Sequence, residues 1–121
     1  MKSVMLVDDS ETILLLISDI LTDAGHAVET AHSAVEALAR FQSGAQADLL
    51  ITDLIMPEMS GIEFIRKVRK VSGHESIPIL IHTTDADPAR RAEAKAAGAS
   101  GWLSKPATAD ELLAIVRQVL R

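Results

Sequence analysis

Three aspartates, a threonine and a lysine carry most of the chemistry this sequence offers: Asp8 and the adjacent Asp9, then Asp53, Thr83 and Lys105. Each stands at the end of a short apolar stretch, residues 4–7 before the acidic pair, 49–51 before Asp53, 77–81 before Thr83 and 101–104 before Lys105. Taken singly, an aspartate after such a stretch is a turn former or helix cap, and Lys105 is a solvated lysine beside a turn. Gathered at one place, they mean more. Carboxylates brought within roughly 4 to 6 Å repel one another by kilocalories unless a proton or a cation offsets them. A hard cation such as Mg²⁺ suits an all-oxygen set, because it uses one or two carboxylates together with phosphate oxygens. Mg²⁺ and the Lys105 ammonium would neutralise charge on a transferring phosphoryl group, and the Thr83 hydroxyl would hold one of its oxygens. A carboxylate is then the natural nucleophile, with Asp53, at the middle of the set, the candidate. The histidines His26, His32, His74 and His82 have no metal-ligand spacing and read as scattered loop or strand residues.

These groups meet only if the chain between them returns each stretch to the same edge. The continuous apolar runs at 4–7, 49–51 and 77–81 have the pattern of strands covered on both faces, which belong to a parallel sheet. Between them, Ile13, Leu16, Ile17, Ile20 and Leu21, and then Ile62, Ile65 and Val68, recur at helical spacing. Two weaker strands, at 27–31 and 101–104, bring the count to about five β-α units. Helix starts are marked by three capping boxes, Ser33 with Glu36, Ser60 with Glu63 and Thr108 with Glu111, and by Asp87 before Pro88. Gly25, Gly44, Gly73 and Gly98 mark the stops. The implied architecture is a doubly wound parallel sheet with helices on both faces, whose crevice lies outside the carboxyl ends of the strands.

At 121 residues the chain has room for one domain, read as residues 1–121. The absence of cysteine excludes disulfides and thiolate metal sites and fits a reducing compartment, so the cytoplasm is expected. Residues 4–7 are too short for a signal peptide, and no apolar stretch approaches a membrane span. Acidic residues outnumber basic ones by 17 to 12, and a formal charge of -5 argues against direct binding to nucleic acid or anionic lipid. Proteins are the expected partners.

With these residues in view, the whole chain resembles the receiver domain of two-component response regulators. The resemblance rests on the acidic pair in Val7-Asp8-Asp9-Ser10, the segment from Asp53 through Met56-Pro57 to Ser60-Gly61, Thr83 after the fourth strand, and Lys105-Pro106. It implies a flavodoxin-like strand order 2-1-3-4-5 and a phosphoryl group accepted on Asp53 from a partner histidine kinase or phosphotransfer protein. It further implies that Asp9, Asp53 and the backbone carbonyl of Ile55 ligate Mg²⁺, with Asp8 acting directly or through water. Lys105 would pair with the phosphoryl group across a cis bond to Pro106. Thr83 would move on activation, and Trp102 occupies the switch-aromatic position. The output surface implied is the face of the fourth helix, fifth strand and fifth helix, where Arg91 and Lys95 stand at i,i+4 near Trp102. Such a protein is not an enzyme beyond its own phosphotransfer and self-dephosphorylation.

The stand-alone length and the ending Gly101-Trp102-Leu103-Ser104-Lys105-Pro106 look like chemotaxis-type regulators. Three residues depart from the family's usual pattern. Ala107 replaces a frequent phenylalanine, Thr84 is larger than the usual small residue, and His82 stands where an apolar residue is common. Two rivals are weighed. A haloacid-dehalogenase-like phosphohydrolase would carry its nucleophile after the first strand in an Asp-x-Asp arrangement, whereas Asp8 and Asp9 are adjacent. A binding module that keeps the fold without phosphorylation would not need the complete set of Asp8, Asp9, Asp53, Thr83 and Lys105. A P-loop enzyme is excluded by the lack of a glycine-rich loop ending in Gly-Lys-Ser/Thr.

Overall fold

In the computed structural model, which describes residues 2–120, the apolar runs become the inner strands of a five-stranded parallel sheet. The elements alternate as β1 (Ser3–Val7), α1 (Glu11–Asp23), β2 (Ala27–Ala31), α2 (Ala34–Gln42), β3 (Leu49–Thr52), α3 (Gly61–Val68), β4 (Ile79–Thr83), α4 (Pro88–Ala97), β5 (Gly101–Ser104) and α5 (Ala109–Val119). Strand order is β2-β1-β3-β4-β5, as the family resemblance implies. Met1 and Arg121, the ends of the expected domain, lie outside the described residues.

Burial explains the order. All of β3 and β4, and all but the first residue of β1, are buried, whereas β2 and β5 show mixed exposure and form the two edges. Because side chains alternate across a strand, the sheet feeds two separate cores. Met5, Val7, Leu50, Ile79 and Ile81 pack beneath α2, α3 and α4. Val4, Leu6, Leu49, Ile51 and Leu80 pack beneath α1 and α5. Since β1 and β2 are neighbours on one side and β1 and β3 on the other, the chain reverses its direction of winding between β1 and β3. A crevice opens at that point, beyond the strands' carboxyl ends.

Four expectations need correction. Leu16 is 48% exposed, and the buried stripe of α1 runs through Leu14, Ile17 and Leu21, spacings of three and four that keep one face inward. Only Thr108 and Glu111 form a complete capping box. The hydroxyls of Ser33 and Ser60 do cap their helices, but Glu36 turns to the His32 amide and Arg40, and Glu63 to Lys67. The fourth strand starts at Ile79 rather than at Ile77, after a proline that has no N–H to give a ladder. The glycine stops hold at Gly25, Gly44 and Gly98, which follow or cap their helices at positive φ, but α3 ends at Val68 with Arg69 as its cap, and Gly73, also at positive φ, turns the loop beyond it.

Candidate functional site

The crevice is built by continuing the strand ladders one residue past their ends. The Asp8 N–H donates to the Ala31 carbonyl at 3.2 Å, the Asp53 N–H to Val7 at 3.1 Å and the Lys105 N–H to Thr83 at 2.9 Å. These bonds fix the backbone from which each of the three side chains starts. Asp8 is 2% exposed and Asp53 7%, while Asp9 lies open to solvent. Oxygens of all three carboxylates come within 4.8 Å of one another.

Lys105 spans the cluster. Its Nζ lies 2.7 Å from Asp8 Oδ2 and 2.7 Å from Asp53 Oδ2. Burial works against this ammonium, but the hydrogen bonds and charges of Asp53 and Asp8 outweigh it and raise its pKa above the ordinary lysine range. The remaining oxygens are held by amides. Asp8 Oδ1 accepts the Ser10 N–H at 2.9 Å, and Asp53 Oδ1 accepts those of Leu54 at 2.6 Å and Ile55 at 3.3 Å. Three carboxylates face one ammonium, an excess of two negative charges in a partly buried site. Such a hard, all-oxygen, negatively charged donor set fits Mg²⁺, and Asp8, Asp9 and Asp53 are the side chains able to hold it.

The turn after β3 is kept tight by a glycine. A Cβ on Gly61 would sit 2.4 Å from the Asp53 carbonyl oxygen, so only glycine lets α3 start this close to the site. The Gly61 N–H closes the turn on Leu54 at 2.8 Å, and the buried Thr52 hydroxyl donates to the Asp53 carbonyl at 2.9 Å.

Thr83 ends β4 and is 1% exposed. Its hydroxyl oxygen accepts the Asp85 N–H at 3.2 Å, which ties it to the loop before α4. Asp85 in turn accepts the Asp87 N–H at 2.9 Å and a guanidinium hydrogen of Arg90 at 2.5 Å. The Asp87 amide and then Arg90 hold the Asp85 carboxyl below the usual range. Behind Thr83, the buried His82 points to the α1 and α5 side, where its Nε2 accepts the Ala107 N–H at 3.4 Å. Burial, reinforced by Lys105 and opposed by Asp8 and Asp53, lowers the His82 pKa and keeps the ring neutral.

Asp8, Asp9, Asp53, Thr83 and Lys105 thus stand together at one sheet edge, with the Ile55 amide against Asp53 and the Ile55 side chain 53% exposed. The Lys105–Pro106 bond is cis. Trp102 lies apart from them, half-buried against the α2/α3/α4 core, with the Arg91 guanidinium 5.6 Å from its ring centre. Arg91, Lys95, Ser100 and Trp102 line a shallow cavity of about 220 Å³. Sequence reasoning missed Ser10, whose hydroxyl caps α1 at Ile13, and the Asp85–Arg90 pair. The first had a signal in a serine set just before an apolar helix; the second depends on a loop path that no spacing reveals.

Residues 4–117 match the family described as response regulator receiver domain. A chemotaxis protein CheY homolog of Campylobacter jejuni is 36% identical over 118 residues, covering 96% of this chain and 90% of the relative. The chemotaxis protein CheY1 of Helicobacter pylori is 37% identical over 105 residues, covering 86% of this chain and 85% of the relative. Among solved structures, the chemotaxis protein CheY4 of Vibrio cholerae aligns with a TM-score of 0.94 at 45% identity, covering 99% of each chain.

Proposed function

The chain belongs to the response regulator receiver domain family, and from that premise we propose that it accepts a phosphoryl group on Asp53 from a partner histidine kinase in a Mg²⁺-dependent reaction. The observation that carries this reading is Lys105 at 2.7 Å from both Asp8 and Asp53 inside a three-carboxylate cluster. A carboxylate oxygen of Asp53 attacks the phosphorus of a phosphohistidine. The O–P bond forms as the P–N bond breaks, and the leaving imidazole keeps the electron pair. The backbone amides of Leu54 and Ile55 orient the Asp53 carboxylate, and the Lys105 ammonium offsets charge on the phosphoryl oxygens. When bound by Asp8, Asp9, Asp53 and the Ile55 carbonyl, Mg²⁺ supplies further positive charge at those oxygens.

A phosphoryl group brings roughly two negative charges and strong acceptor oxygens, and Thr83 gains a partner it lacks at rest. Its hydroxyl then leaves the Asp85 amide, freeing the loop before α4 and the space beside β4 that the Trp102 ring can enter. The face of α4, β5 and α5, with Arg91, Lys95 and Trp102, presents the change to a downstream protein. The relatives named above are chemotaxis proteins, and chemotaxis in the cytoplasm is the setting proposed here. Among the described residues, no helix is long and apolar enough to cross a membrane.

Incubation with Mg²⁺ and acetyl phosphate, followed by intact mass, separates the readings. One phosphoryl adduct that requires Mg²⁺ is expected. Steady turnover without an adduct would favour a phosphohydrolase, and no reaction at all would leave a binding module.

A further inference from the structure

We infer that His82 is a positioning residue for Lys105: by accepting the Ala107 N–H it fixes the turn that carries the ammonium to the two carboxylates. The inference rests on the proposed phosphotransfer for its functional consequence, but its geometry stands alone. Lys105 must reach Asp8 and Asp53 at once, so the backbone that carries it has to be fixed on both sides of Pro106. Proline offers no N–H. The amides on either side of it, those of Lys105 and Ala107, both go to β4: the Lys105 N–H to the Thr83 carbonyl at 2.9 Å, the Ala107 N–H to His82 Nε2 at 3.4 Å.

An apolar residue at 82 would fill the same space but leave the Ala107 amide buried without an acceptor, since Ala107 is 7% exposed. Size at 107 matters as well. Alanine leaves room for an imidazole on the α1 and α5 side of the sheet, where Leu80, Leu103 and Leu112 surround the turn. His82 and Ala107, both departures from the usual family pattern, therefore form one local solution to holding this turn. The acceptor role also fixes the tautomer: the proton sits on Nδ1.

The test compares the parent with His82→Leu, which removes the acceptor, and His82→Gln, which restores one. In the parent, ¹⁵N spectra of the imidazole should show an unprotonated Nε2; a proton on Nε2 would overturn the inference without any variant. In His82→Leu, the Ala107 amide should exchange with solvent about tenfold faster, and the Lys105 side-chain resonances should shift, as expected for the loss of one buried hydrogen bond. The rate of phosphorylation by acetyl phosphate should fall by about tenfold, with Mg²⁺ affinity, read by calorimetric titration, within about twofold of the parent. His82→Gln should recover the exchange rate, the Lys105 shifts and the phosphorylation rate. Unchanged Lys105 resonances in His82→Leu, or a glutamine variant as slow as the leucine one, would reduce His82 to packing. If the parent takes up no phosphate, the proposed function fails while the amide and Lys105 readouts still judge the inference.

Discussion

Replacing Lys105 with methionine keeps the aliphatic stem and removes the charge that holds the acidic cluster together. Each of its two contacts spans 2.7 Å, worth about 6 kcal/mol of attraction at an effective dielectric of roughly 20. Desolvation of the ammonium offsets several kcal/mol of that, and breaking a buried pair typically costs about 3–5 kcal/mol. Urea unfolding with and without millimolar Mg²⁺ is the assay. A net loss of about 3 kcal/mol is expected without the metal. Mg²⁺ should narrow it, because it stabilises the more negative cluster of the variant more than that of the parent. A loss that does not change with Mg²⁺ would refute the picture of an acidic cluster neutralised by Lys105.

Three further outcomes are expected. Beryllofluoride with Mg²⁺, standing in for the phosphoryl group, should change the emission or iodide quenching of Trp102, the sole tryptophan, and Thr83→Ala should blunt the change while still binding beryllofluoride; an unaltered spectrum at saturation would leave Trp102 as packing. Charge reversal at Arg91 and Lys95 should weaken binding of the downstream protein in pull-downs with a phosphate mimic and leave the phosphorylation rate unchanged, and equal binding would reject that face. Because the His82 pKa is lowered in the folded state, the unfolded chain binds the proton first, so the stability His82 contributes is complete above about pH 6.5 and is lost as pH falls through the lowered value. His82→Gln should lack that part of the pH slope in chemical denaturation, and an identical slope would contradict it.

What the sequence disclosed depended on how local each signal was. The inner strands were readable because burial on both faces forces unbroken apolar runs, as at 49–51, and the site residues because a doubly wound sheet exposes whatever follows its strands. Strand order came only from the family resemblance, since periodicity does not say which strands are neighbours. Leu16 was misplaced because the apolar residues of α1 cover more than one face, and only the packed core chooses among them. The capping glutamates misled for a related reason: Glu36 and Glu63 had basic neighbours four residues on and took those instead. His82 and Ala107 are 25 residues apart, and their bond exists only once β4 and the turn after β5 are side by side.

The central claim is that Asp53 is the nucleophile, and the most direct measurement locates the phosphoryl group. After reaction with acetyl phosphate and Mg²⁺, borohydride reduction converts an aspartyl phosphate to homoserine, which peptide mass spectrometry can place in the chain. Homoserine at position 53 alone, absent without Mg²⁺ and absent from Asp53→Asn, is the expected result. Reduction at Asp8 or Asp9, or phosphorylation of Asp53→Asn at the parent's yield, would contradict the account.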